Sequence, residues 1–122
     1  MQAVRMLPRS NYHNVGFSVE SADENENKIL LEAREGEKIG LVYVTAYNAD
    51  ASADHEVILK TGYYDEDDEE VKVEKEIGAF EISQGETEVI LESPDLGLTI
   101  DNDLVVEVDS EELHVSAWGV KA

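Results

Sequence analysis

The sequence predicts an all-β domain, an antiparallel β-sandwich with about eight to ten short strands. A jelly roll is the first choice of topology and an immunoglobulin-like sandwich is the alternative. Apolar and polar residues alternate with a period of two in one segment after another, which is the pattern of half-buried strands. Turn-forming clusters recur throughout the chain, and no helix of useful length fits between them.

The alternating segments can be followed in order along the chain. They lie near residues 14–19, 29–33, 39–47, 57–63, 71–82, 89–91, 104–108 and 113–117. Polar clusters such as 23–27 and 84–86 separate them and supply the turn chemistry. The segment 39–47 is apolar on both of its faces. We therefore expect a central strand that is covered on both sides, or one whose second face is buried in an interface.

On a strict period of two, the faces of segment 39–47 divide cleanly. One face holds Ile39, Leu41, Tyr43 and Tyr47, and the other holds Val42, Val44 and Ala46. We expect Val42 and Val44 to contribute to an interface between copies.

Length and composition set the class of protein. The chain has 122 residues, of which 42% are hydrophobic, which suits one domain with a packed core. Cysteine is absent, so disulfides and thiolate chemistry are impossible. No apolar run reaches the ~18 residues of a membrane span, and the first ten residues do not resemble a signal peptide.

The net charge is −20, from 29 acidic and 9 basic residues. Such a surface repels phosphate groups, so we expect neither nucleic-acid binding nor binding to anionic membranes. The acids are spread over nearly every loop, which favours adaptation to molar salt, where the screening length falls to ~3 Å. Dedicated cation sites or a basic partner are the alternative explanation.

The charge also divides the chain into two parts within a single domain. Residues 1–19 form a basic N-terminal arm and first strand, because they contain Arg5 and Arg9 and no acid. Residues 20–122 form the acidic body of the sandwich. The arm could tether the domain to an acidic neighbour, or it could be a frayed terminus that happens to lack acids.

The acidic run from Asp65 to Glu70 is the strongest candidate for a calcium site. Read as an EF-hand loop that starts at Asp65, it places Asp67 and Glu69 correctly and Glu76 at the closing position. It fails where the loop needs glycine, because Glu70 occupies that position. We therefore predict a solvated hairpin tip.

Asp101 and Asp103 form a second, weaker candidate, although acids flanking Asn102 are ordinary turn chemistry. We predict no cofactor, with bound cations conceivable only at high salt. The three histidines, at positions 13, 55 and 114, lie on different segments. None belongs to a catalytic pattern, so we do not expect an enzyme.

Trp118 is the single tryptophan. It follows the alternation of His114 and Ser116, opposite the apolar positions 113, 115 and 117. If those positions face the core, Trp118 is an outward interface anchor or a platform for stacking sugars. A bulge near Gly119, or a second buried face, would bury it instead. Tyr63 and Tyr64 are adjacent, so one of them should point outward.

The order of these segments resembles a known family. A turn glycine precedes a long apolar strand that ends in Asn48, followed by the strand 57–60, the turn 82–87 and a last strand ending in Ala-Trp-Gly-Val at 117–120. This succession, over about 28–121, is similar to small β-sandwich virion proteins of tailed phages. It departs from that family before the penultimate strand, where Asn102-Asp103 replaces a Gly-Asp pair.

The resemblance implies a non-enzymatic structural protein of the virion, most simply one that decorates or stabilises the capsid. Its partners would be further copies of the chain, with a trimer favoured, and the major capsid protein or another virion protein. With the acidic surface, it implies a tailed virus of a halophilic archaeon and a place on the capsid surface after assembly in the host cytoplasm. The predicted contacts are Arg5, Arg9, Val42, Val44, Tyr63, Tyr64 and Trp118.

Two other functions remain open from the residues themselves. A carbohydrate-binding or adhesion module would use Trp118, Tyr63 or Tyr64 as stacking platforms. A calcium-dependent extracellular module would use the acidic turns.

Overall fold

A computed structural model describes residues 13–21, 26–33, 38–92 and 98–121, which form strands and turns without a helix. There are nine strands within these ranges, which confirms the predicted all-β class. They are β1 (His13–Ser21), β2 (Lys28–Leu31), β3 (Ile39–Asn48), β4 (His55–Asp65), β5 (Glu70–Ile82), β6 (Thr87–Glu92), β7 (Leu98–Ile100), β8 (Asp103–Val108) and β9 (Leu113–Lys121). In this part of the chain no helix is long and apolar enough to cross a membrane.

The strands form two antiparallel sheets. The five-stranded sheet has the order β1-β9-β3-β6, with β7 also paired to β3, and the four-stranded sheet has the order β2-β8-β4-β5. Without β7, this is the strand order of a jelly roll. The first strand pairs with the last, and most connections cross from one sheet to the other, as in a double Greek key. The predicted first choice of topology is therefore confirmed over the immunoglobulin-like alternative.

The core lies between the two sheets. It is formed by alternate residues of the central strands β3, β4, β8 and β9, together with a few residues from the strands beside them. Leu113, Val115 and Ala117 are buried there, as the alternation of the last segment predicted. Because β8 is central in the four-stranded sheet and β9 is central in the five-stranded sheet, the last two strands contribute to the core from both sides.

A bulge in β3 changes which of its residues face the core. The register against β9 shifts between Leu41 and Tyr43, so Val42 is one extra residue in β3. Leu41 is buried before the bulge and Val44 is buried after it. The strict alternation predicted for 39–47 was wrong here, because an inserted residue reverses the phase of everything that follows. Tyr43 and Tyr47 consequently point outward and not inward.

The strands β4 and β5 form a long hairpin at one edge of the four-stranded sheet. The register shifts twice along it, once between Leu59 and Lys60 and once between Thr61 and Gly62. At Gly62 the backbones approach so closely that a Cβ atom would overlap the carbonyl oxygen of Lys72. Glycine is therefore required at this bulge for steric reasons.

Candidate binding face

The outer surface of the five-stranded sheet carries three cross-strand pairs in a row. Each pair joins an outward residue of β3 to an outward residue of β9, and directly opposed residues of an antiparallel pair share one face of the sheet. The pairs are Tyr43 with Trp118, Thr45 with Ser116, and Tyr47 with His114. We call these six residues the aromatic face.

The aromatic face is accessible from outside the sandwich. Tyr43 is 36% exposed and Tyr47 is 43% exposed, while His114 and Trp118 are half-buried. The rings of Tyr47 and His114 are stacked, with centroids 6.1 Å apart and an angle of 21° between their planes. On the other side of β3, Val89 of β6 lies opposite Thr45 and is also exposed, so the apolar surface continues across a third strand.

The strands that carry the aromatic face lack carboxylates. Neither β3 nor β9 contains an aspartate or a glutamate, although the chain has 29 acidic residues. The nearest carboxylate in the register is Glu92 of β6, opposite Tyr43. Two neighbouring strands without acid, on a protein that is acidic elsewhere, differ from their surroundings in the way that interaction sites do.

The sequence predicted one member of this face. Trp118 lies outward beside His114 and Ser116, as the first of the two alternatives proposed, and Gly119 does not turn it into the core. Sequence reasoning missed Tyr43 and Tyr47 as site residues, because the bulge at Val42 reverses their expected direction. The Tyr-Thr-Tyr alternation at 43, 45 and 47 was the available signal, since it has the period of one strand face.

The other predicted interface residues do not join the aromatic face. Val44 is fully buried in the core, which removes it from any interface. The side chain of Val42 lies outside the described part of the structure, as do Arg5 and Arg9. Tyr63 and Tyr64 are both exposed, but they belong to β4 in the opposite sheet.

The acidic run at 65–70 forms the tip of the β4–β5 hairpin, as predicted. The carboxylate of Asp65 accepts hydrogen bonds from the backbone N–H groups of Asp67 and Asp68, at 2.9 and 3.3 Å. Glu69 has a positive φ of 55°, which closes the turn. The Nζ atom of Lys72 lies 2.9 Å from a carboxylate oxygen of Asp68 and 2.6 Å from one of Glu70. The carboxylates of Asp65, Asp68 and Glu70 thus bond to backbone N–H groups and to a lysine of the same hairpin, as in an ordinary tight turn.

The second acidic turn is also occupied by protein partners. Asp103 is buried and accepts a hydrogen bond of 2.8 Å from the backbone N–H of Ala33. Asp101 is exposed and forms a loose ion pair of 3.4 Å with Lys38. Among the described residues, no group of three or more histidine, aspartate or glutamate side chains is placed to hold a metal ion.

The loop between β3 and β4 is held by a buried amide. Asn48 is fully buried, and its side-chain NH₂ group donates to the backbone carbonyls of Ala53 and Ile82, at 2.9 and 3.0 Å. Its side-chain oxygen accepts from the backbone N–H of Asp50 at 2.9 Å. These bonds satisfy the buried polar atoms and fix the position of Asp50.

His55 joins this loop to the one between β8 and β9. Its Nε2 lies 2.8 Å from a carboxylate oxygen of Asp50, and its Nδ1 lies 3.2 Å from one of Asp109. A neutral imidazole has only one N–H, so both contacts are satisfied together only by the imidazolium ion. The hydrogen bond to Asp50 raises the pKa of His55 above its ordinary value. The same bond, with those from Ser52, lowers the pKa of Asp50 to about 2.

Comparison with known proteins adds a distant likeness to a solved structure. No family model and no curated protein matches the chain. Among solved structures, the chain is similar to the N-terminal endo-1,4-beta-D-xylanase 10B of Clostridium thermocellum, with its CBM22-1 and GH10 modules complexed with xylohexaose. The identity is 12%, the coverage is 95% of this chain and 26% of that one, and the TM-score is 0.39. The chain thus spans about a quarter of that protein, and the likeness is too distant to assign a function.

Proposed function

We propose that this protein is a non-enzymatic binding module that recognises a neutral carbohydrate through the aromatic face. The observation that carries the proposal is the set of half-exposed rings of Tyr43, Tyr47 and Trp118 on two strands without carboxylates. Aromatic rings stack on the apolar faces of sugars, and the nearby hydroxyl groups of Thr45 and Ser116 can donate to and accept from sugar hydroxyls.

The described part of the face is long enough for a short sugar chain. Tyr43 and Tyr47 are four residues apart, which spans about 14 Å along the strand. Three strands about 4.8 Å apart give a similar width, so the described part of the face covers roughly 200 Å². This length and width match the dimensions of a short sugar chain.

At low ionic strength, the net charge of the protein also favours a neutral ligand. Two copies of a chain with a net charge of −20 repel each other except in concentrated salt. A neutral carbohydrate is not repelled, and an anionic one would be. A carboxylate on β3 or β9 would have to be desolvated beneath the stacked sugar rings, which costs free energy.

The proposal can be tested through the single tryptophan. Neutral glycans on an array should be bound by the wild-type protein, and the hits should change the fluorescence of Trp118 in solution. Trp118→Ala should weaken binding at least about tenfold, the effect of losing about 1.4 kcal/mol of contact, while the protein stays folded. The matched control is Tyr64→Ala, which removes an exposed ring from the other sheet. Binding that survives Trp118→Ala, or no binding to any neutral glycan, would refute the proposal.

A second candidate is the virion structural role implied by the resemblance described above. Jelly rolls occur in viral capsid domains as well as in lectins, so the topology is compatible with both. In this candidate the aromatic face would pack against another copy or a coat protein, and the arm with Arg5 and Arg9 would act as a tether.

Molar mass by light scattering in molar KCl separates the two candidates. A stable trimer that Tyr43→Ala or Trp118→Ala converts to monomer would favour assembly through this face. A monomer that binds glycans would favour recognition.

A further inference from the structure

The aromatic face has two separate stacking positions with a polar centre. One end is the pair Tyr43 and Trp118, and the other end is the stacked pair Tyr47 and His114. The pair between them, Thr45 with Ser116, carries only hydroxyl groups. Along the sheet the order is therefore aromatic, hydroxyl, aromatic, with about 14 Å between the two ends.

One sugar ring cannot reach both ends of this face. A monosaccharide that stacks on Trp118 leaves Tyr47 and His114 unused, and the reverse holds at the other end. A chain of linked sugars places apolar ring faces at both ends and hydroxyl groups over Thr45 and Ser116. Because the second contact is then intramolecular, it adds to affinity without a second loss of translational freedom.

We infer that the ligand of the aromatic face is an extended, neutral oligosaccharide of several linked sugars, bound at both ends of the face at once. This inference rests on the proposed function and specifies the ligand class of the same site. The face lies on the outer side of a sheet, and the rings of Tyr43 and Tyr47 are exposed. An exposed face of this kind admits a chain of several sugars, whereas small-molecule sites are normally concave pockets.

The experiment is a length series. Calorimetric titration would use cello-, xylo- and manno-oligosaccharides of one to six sugars against the full chain. For any series that binds, we expect affinity to rise at least about tenfold from monosaccharide to hexasaccharide and then to level off once both ends are occupied. The rise should occur where the chain becomes long enough to span Tyr43 to Tyr47.

Tyr47→Ala tests the two-ended geometry directly. It should weaken hexasaccharide binding about tenfold while leaving the weak binding of the shortest ligands within about twofold. Tyr63→Ala, on the opposite sheet, is the matched control and should change neither. Equal affinity for all lengths, or an equal loss for short and long ligands in Tyr47→Ala, would overturn the inference and leave carbohydrate binding intact. Failure of every oligosaccharide to bind would overturn the proposed function and the inference together.

Discussion

The two outer faces of the sandwich have opposite chemistry. On the five-stranded sheet, β3 and β9 present aromatic and hydroxyl side chains without a single carboxylate. On the four-stranded sheet, β5 alone carries four glutamates and two lysines. There the half-buried Lys60 forms an ion pair with Glu107 and also donates to Asn27 at 2.8 Å.

This difference shows where an interaction site lies on a highly charged protein. On a protein whose surface is acidic nearly everywhere, one more carboxylate does not mark an interaction site. Two neighbouring strands without any carboxylate differ from the rest of the surface and are therefore the better indicator. The four-stranded sheet also exposes two rings, Tyr63 and Tyr64, but they lie on a strand that leads into the acidic hairpin tip. The aromatic face places its rings on two neighbouring strands without a carboxylate, and that is the reason to look for its ligand there.

Among these predictions, we expect the largest effect from a substitution that disrupts the four-stranded sheet and so lowers the stability of the fold. Gly62→Ala forces a Cβ atom into the carbonyl oxygen of Lys72, and we expect a loss of about 3 kcal/mol in the free energy of unfolding. Gly78→Ala is the matched control in the same hairpin, where the added atom meets only the movable ring of Phe80, so the loss should be smaller. Denaturant unfolding measures both. Equal stability of Gly62→Ala and wild type would show that the close approach does not persist in solution.

The comparison of the faces is sharpened by adding a carboxylate to each. Thr45→Glu puts a charge at the centre of the aromatic face, and we expect carbohydrate affinity to fall at least about tenfold. Val73→Glu puts the same charge on β5, where Val73 is 43% exposed, and affinity should not change. Surface substitutions of this kind should alter stability by only about 0.5 kcal/mol. If both variants bind alike, the absence of acid from β3 and β9 has no role in binding.

The smallest effect that we expect is on the pH dependence of stability. The pKa of His55 is raised in the folded protein. The stabilisation that protonated His55 contributes to the folded state is therefore fully present below the unfolded pKa of about 6.5. It is lost as the pH rises through the raised value. Wild-type stability should therefore fall more between pH 6 and 9 than that of His55→Gln.

His114→Gln is the matched control for this pH effect, because the ring of His114 stacks on Tyr47 and is not held between two carboxylates. If the stability of wild type and of His55→Gln changed with pH in parallel, protonation of His55 would not be needed to hold the β3–β4 and β8–β9 loops together. The comparison is best made in molar salt, where repulsion among the other acids is screened.

Much of the fold could be predicted from the alternation alone. The buried positions 113, 115 and 117 and the hairpin tip at 65–70 follow from local sequence, because a period of two and a polar turn are local properties. The candidate site was only partly predictable. Trp118 was identified because its strand is regular, whereas Tyr43 and Tyr47 were assigned to the wrong face because their strand contains a bulge.

By itself, the sequence determined the all-β class, the acidic surface and the absence of thiol chemistry, since these depend on composition and on patterns within single segments. Only the tertiary structure decided that Tyr43 lies beside Trp118, that Val44 is in the core, and that His55 lies between Asp50 and Asp109. Those pairings join residues far apart in the chain. They depend on strand order and on a one-residue bulge, and a shift of one residue exchanges the two faces of a strand without altering its local pattern.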